Sequence, residues 1–73
     1  MVIKIPRFQR IDGGSERYEA ITDDGARLVV VYDARFDSFF WRVERQDRGS
    51  VAGSAPDARE AKERAISAWI ATR

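Results

Sequence analysis

Two aspartate pairs are the first residues whose types and spacing suggest chemistry. Asp23-Asp24 and the looser pair Asp33 and Asp37 offer carboxylate oxygens, the ligands that Mg²⁺ and Ca²⁺ prefer. Neither has the spacing of an EF-hand loop. Both stand among turn residues, where aspartate is favoured because it caps its own backbone, so the expectation is turns and no metal site. Gly13-Gly14-Ser15 could form an anion-binding nest, yet a strand is expected after it instead of a helix, and no lysine follows as in a P-loop. Trp41 and Trp69 could serve as stacking platforms for bases, but both fall on stripes that periodicity assigns to the core.

The chain contains no histidine and no cysteine. The commonest general base near neutral pH is therefore missing, together with Ser-His and Cys-His nucleophile pairs, thiolate chemistry, disulfides and the usual zinc ligands. The expectation is a non-enzyme without a cofactor. Thirteen basic and twelve acidic residues leave a net charge of +1 and alternate along the chain, which is no global nucleic-acid signature. Lys4 and Lys62 are the only lysines. That arginine bias could supply bidentate or stacking contacts, but beside many alanines it fits a GC-rich coding composition better. The absence of cysteine, of a leader-like start and of any long apolar run predicts a cytoplasmic protein that does not span a membrane.

The elements that must position any site follow from turn chemistry. At 73 residues the chain supports one domain. Residues 1–11 carry Ile3 and Ile5 in alternation and then Pro6, which suits an irregular arm or edge strand. After the turn Asp12-Gly13-Gly14-Ser15, strands are expected over 16–22, 27–33 and 38–45, with a short edge strand over 50–53. Thr22-Asp23-Asp24-Gly25-Ala26 reads as a three-residue hairpin loop closed by a left-handed glycine, which sets Ala20 opposite Leu28 and Tyr18 opposite Val30. A turn with its tip at Arg35-Phe36 sets Tyr32 opposite Phe39, Val30 opposite Trp41 and Leu28 opposite Val43. Both registers place Tyr18, Ala20, Leu28, Val30, Tyr32, Phe39, Trp41 and Val43 on one face. Ser54-Ala55-Pro56-Asp57 reads as a capping box opening a helix over 55–72, whose stripe Ala58, Ala61, Ala65, Ala68, Trp69 and Thr72 should pack on that face. The expected fold is α+β: an antiparallel β-meander (16–53) of three long strands plus one or two short edge strands, with one C-terminal helix on one side.

The opposite face gathers Val29, Val31 and Phe40 beside Ile21, Arg17, Arg27, Arg42, Glu19 and Glu44. An apolar centre rimmed by charge marks a partner site on small domains. The candidate binding residues are Phe40, Arg42, Val31, Val29, Arg27 and Arg17, with Phe40 as the anchor. The alternative is that Ile3, Ile5, Phe8 and Ile11 of the arm fold over this face.

The run Gly49–Ile70 (GSVAGSAPDAREAKERAISAWI) after an aromatic strand resembles the end of three-stranded-sheet-plus-helix DNA-binding domains. These are the plant ethylene-response domain and the arm-site domain of phage integrases. The resemblance implies a sheet entering the major groove, with Arg17, Arg27, Arg42 and Phe40 outward. In those families the exposed strands are rich in arginine and tryptophan, whereas here Glu19 and Glu44 intrude. Gly53-Ser54 before the helix and Ala61-Lys62 within it are similar to the second half of a double-stranded RNA-binding domain. The match ends at Ala55-Pro56-Asp57, where that family places phosphate-gripping lysines, and its first helix has no counterpart. In type, without a shared motif, the chain resembles the small accessory proteins of phages and prophages, among them anti-CRISPR inhibitors. This implies a non-catalytic inhibitor in a bacterial host's cytoplasm, acting on a host protein complex such as a CRISPR effector. The alternative function is DNA binding through the exposed sheet face. A host or viral protein is thus the expected partner and nucleic acid the second; the chain itself is expected to be a monomer or a homodimer.

Overall fold

The computed structural model describes residues 4–73. Five strands run β1 (Gln9–Arg10), β2 (Arg17–Ile21), β3 (Arg27–Asp33), β4 (Ser38–Arg45) and β5 (Gly49–Ala55), followed by helix α1 (Ala58–Ala71). They form one antiparallel sheet in the order β1-β2-β3-β4-β5, a simple meander with α1 packed over β3, β4 and β5. The α+β architecture is the one expected from sequence.

The first hairpin shows why the register was readable. Gly25 adopts φ +88, Thr22 N donates to Ala26 O at 2.9 Å, and Gly25 N donates to Thr22 O at 3.1 Å. This closes a three-residue loop on a left-handed glycine, and the ladder then pairs Ala20 with Leu28 and Tyr18 with Val30. At the second hairpin, strand pairing ends with Asp33 opposite Ser38, so the loop is four residues (34–37) and not a two-residue tip. Asp33 Oδ1 accepts from Arg35 N at 3.0 Å, and Asp37 takes the left-handed φ of +47 that aspartate tolerates. The register is unchanged: Tyr32 faces Phe39, Val30 faces Trp41 and Leu28 faces Val43.

The core lies between α1 and this face of the sheet. Leu28, Val30 and Val43 are buried against Ala61, Ala65 and Trp69, and the alanines let the helix approach closely. Trp69 is fully enclosed.

Two boundaries differ from expectation. β5 extends through Ala55, so it is a full-length strand and not a short edge piece over 50–53. The helix consequently starts later, with Asp57 as its N-cap in place of Ser54; Asp57 Oδ1 accepts from Glu60 N at 2.8 Å. The reason is competition for backbone. Ser54 and Ala55 pair with Phe40 and Phe39 across the ladder, Ala55 is buried, and a residue preceding proline is disfavoured in the helical region.

Candidate functional site

β2, β3 and β4 present alternate residues away from the helix, and these build the outer face residue by residue. Val29 sits at its centre with Glu19 and Arg42 as cross-strand neighbours. Around it the charges form one alternating chain. Arg17 Nε reaches Glu19 Oε2 at 2.8 Å, and Arg27 Nη2 reaches Glu19 Oε1 at 2.8 Å. Arg27 Nη1 lies 3.6 Å from Glu44 Oε1, and Arg42 Nε lies 2.9 Å from Glu44 Oε2. The last contact is off the hydrogen-bond direction, leaving Arg42 Nε buried without a hydrogen-bond partner. The Arg17 and Arg27 guanidiniums hold the Glu19 carboxyl below its ordinary range, and Glu19 in turn raises Arg27.

This network corrects the picture of an apolar centre with a charged rim. Val29 is only 3% exposed and offers a partner no surface. The charged side chains have closed over it, with their stems covering apolar area and their heads paired. Exposed apolar surface is left at the two ends of the face: Ile21, 67% exposed, lines a depression with Ile5 at the β2–β3 end, and Phe40, 38% exposed, has Val31 directly opposite it at the β3–β4 end. Phe40 and Val31 line a shallow depression with Ser15, Tyr32, Asp33, Ala34 and Arg35. Tyr32 Oη donates to Asp37 Oδ1 at 2.8 Å, bracing the loop, and Arg35 holds the Asp33 carboxyl low.

Of the six candidate residues, Phe40 and Val31 therefore meet at one open spot, whereas Arg17, Arg27 and Arg42 are engaged by Glu19 and Glu44. Sequence reasoning missed Phe36. It stands on the loop joining the two strands, 73% exposed, with the Arg35 guanidinium 5.6 Å from its ring centroid. An aromatic residue at a loop position that usually takes Gly, Asn, Asp or Ser was the available signal.

Among the described residues the arm does not close over the centre of this face. Phe8 turns to the helix side and packs against the core, where Lys62 Nζ lies 5.9 Å from its ring and 3.8 Å from that of Tyr18. Ile5 and Ile11 remain exposed, and Ile3 lies outside the described residues.

No protein family, curated relative or solved structure matches this chain. Its chemistry therefore rests on its own geometry.

Of the aspartates first considered as metal ligands, Asp24, Asp33 and Asp37 have other work. Asp24 accepts from the Thr22 hydroxyl, from Trp69 Nε1 at 3.1 Å and from Arg45 Nη1 at 3.2 Å, with Arg73 Nε at 3.7 Å. The Thr22 hydroxyl leads these partners in holding its carboxyl well below the usual carboxylate range. Arg45 also donates to Trp69 O at 2.8 Å and Thr72 Oγ1 at 3.2 Å. It thereby supplies the positive charge that the last helical turn lacks. Asp24 and Arg45 thus tie the first hairpin to the end of α1. Among the described residues no group of three or more acidic side chains converges as metal ligands do. Trp41 and Trp69 both lie on the helix side of the sheet, Trp41 partly and Trp69 fully buried, and neither is offered for base stacking.

Proposed function

We propose that this chain is a non-catalytic binding protein that docks a protein partner through the β3–β4 end of its outer sheet face, with Phe40, Val31 and Phe36 as apolar anchors and Arg35 beside them. The supporting observation is the pairing of charge on that face. Three arginines are matched by two glutamates in a continuous ion-pair chain, while the aromatic residues next to it stay open. Exposed aromatic and arginine side chains beside a surface whose charges are mostly paired are the composition of a protein interface. A phosphate-binding sheet needs the reverse, free guanidiniums around a groove. An inhibitor of the phage-encoded type, binding a host complex such as a CRISPR effector, would work through this kind of surface.

DNA binding through the same face is the reading to beat, and a salt titration with random-sequence duplex DNA separates the two. Phosphate contacts release counterions and give a steep fall of log affinity with log salt. The expected result is weak binding with a shallow slope that the Arg17→Ala and Arg42→Ala variants leave unchanged. A steep slope that flattens in those variants would transfer the face to nucleic acid.

A further inference from the structure

We propose that the free edge of β5 pairs antiparallel with the β5 of a second copy, joining two five-stranded sheets into one continuous sheet about a two-fold axis at Ala52. The surface is separate from the aromatic spot, so the inference stands whatever that spot binds.

The ladder shows which groups are free. Thr22 N donates to Ala26 O and Tyr32 N to Glu16 O, so the even-numbered residues of β2 and β3 bond to each other. Antiparallel pairs alternate between hydrogen-bonded and non-hydrogen-bonded. The odd residues of β3 therefore bond to even residues of β4, and the odd residues of β4 bond to odd residues of β5. The N–H and C=O groups of Ser50, Ala52 and Ser54 are left pointing off the sheet. Arg64 Nη1, which donates to Ser54 O at 2.7 Å, confirms that direction and still leaves that oxygen a second lone pair.

Open edges are usually blunted by charge, proline or brevity. β1 is handled that way, with two residues, Arg10 among them, and Pro6 shortly before. β5 has none of these in its own sequence, since its seven residues, GSVAGSA, carry no charge and no proline; Arg64 covers only its C-terminal end, at Ser54 O, and shares that oxygen in the paired strand.

The strand is self-complementary when paired antiparallel about Ala52. Ala52 faces its symmetry mate, Ser50 faces Ser54 and Val51 faces Gly53 of the other copy. The serines share the outer face, where hydroxyl pairs support cross-strand contacts. Val51, 43% exposed, would project on the helix side over a residue without a side chain. No like charges meet anywhere along the strand. Ser50, Ala52 and Ser54 of each copy exchange both of their backbone bonds, so the orphaned groups of the edge are satisfied. A strand-edge contact is small beside the interfaces of permanent dimers, so the equilibrium is concentration-dependent. In the assembly the two outer faces become one surface. Their β4 strands lie three inter-strand steps apart, about 14 Å, which makes the protein bivalent for its partner.

Sedimentation equilibrium from micromolar to millimolar concentration tests this, together with two variants at Ala52. The parent should rise from 8.3 kDa toward twice that mass. Ala52→Glu places a carboxylate beside its own Arg42 but opposite a like charge across the axis, and should stay at the monomer mass with the parent's circular dichroism. Ala52→Cys keeps a small side chain in a chain otherwise free of cysteine. Hydrogen-bonded antiparallel pairs bring Cα atoms to about 5.5 Å, within disulfide reach, so it should cross-link under mild oxidation at least tenfold faster than Ser67→Cys on the exposed helix face. A parent that remains 8.3 kDa at millimolar concentration overturns the proposal. So does an Ala52→Glu protein that dimerises like the parent, or an Ala52→Cys protein that cross-links no faster than the control.

Discussion

Gly53 is the position where a single methyl group tests the packing most sharply. It lies opposite Trp41 across the β4–β5 ladder, and the indole lies against its backbone. A Cβ added at Gly53 would stand 2.7 Å from Trp41 Cζ2 and 2.9 Å from Cε2, closer than real Cβ contacts allow. Trp41 is partly buried against the core clusters, so its ring has to leave its site for the methyl to fit. Overpacking of this kind costs about 1–3 kcal/mol. Replacing glycine in a strand returns about 0.5–1 kcal/mol through the unfolded chain, where glycine has the most freedom to lose. The net expectation for Gly53→Ala is a loss of about 1–2 kcal/mol, or roughly 5–15 °C in Tm for a domain of this size. Urea denaturation followed by circular dichroism measures it, with the m value as a check that unfolding stays two-state. A double-mutant cycle isolates the cause. In a Trp41→Phe background, which lacks the outer indole ring, the same substitution should cost little or become favourable, a coupling of about 1 kcal/mol or more. A Gly53→Ala protein as stable as the parent, or equally destabilised in both backgrounds, would refute the argument.

Two further perturbations follow from the hydrogen bonds. Asp57→Ala should cost about 1 kcal/mol by uncapping α1 while Ser54→Ala stays within a few tenths, in the same urea assay; equal costs would return the cap to Ser54. Asp24 has its folded-state pKa depressed, chiefly by the Thr22 hydroxyl, so its contribution to stability is complete above the unfolded carboxylate value, about 4, and is lost as pH falls from there toward the lower folded value. Asp24→Asn should be less stable than the parent at pH 7, and the gap should narrow as the pH is lowered through that window; thermal melts at a series of pH values check this, and a gap independent of pH would contradict it.

The strand register was legible because it depends on local chemistry. Thr22-Asp23-Asp24-Gly25-Ala26 admits one economical loop, and a loop with Gly25 at positive φ sets every pair between β2 and β3. Even the misread loop at 34–37 left the register intact, since adding one residue on each side of a tip keeps the same residues opposite. The β5–α1 junction was harder, because Ser54 is chemically able to cap a helix. What decided it was Ala55, placed before Pro56 and buried opposite Phe39, and only the first of those facts is visible locally. For the outer face the sequence determines which residues belong to it and not which of them stay open. The register places Glu19 and Arg42 beside Val29, but whether long side chains pair over a valine or leave it open depends on their three-dimensional geometry. Asp24 was invisible as a clamp for the same reason: Trp69 and Arg45, which meet there, are distant in sequence.

The aromatic spot at the β3–β4 end is proposed to bind a protein and to be dispensable for folding. The most direct measurement compares partner capture from nuclease-treated lysate of the native host by the parent and by Phe36→Ala combined with Phe40→Ala, each first shown to have parental circular dichroism. The expected result is a partner that survives nuclease and is retained by the parent, with affinity for the double variant reduced at least thirtyfold, the loss expected from removing one interface anchor worth about 2 kcal/mol. A folded double variant that captures the same partner with the parent's affinity, or a capture that disappears with nuclease, would contradict it.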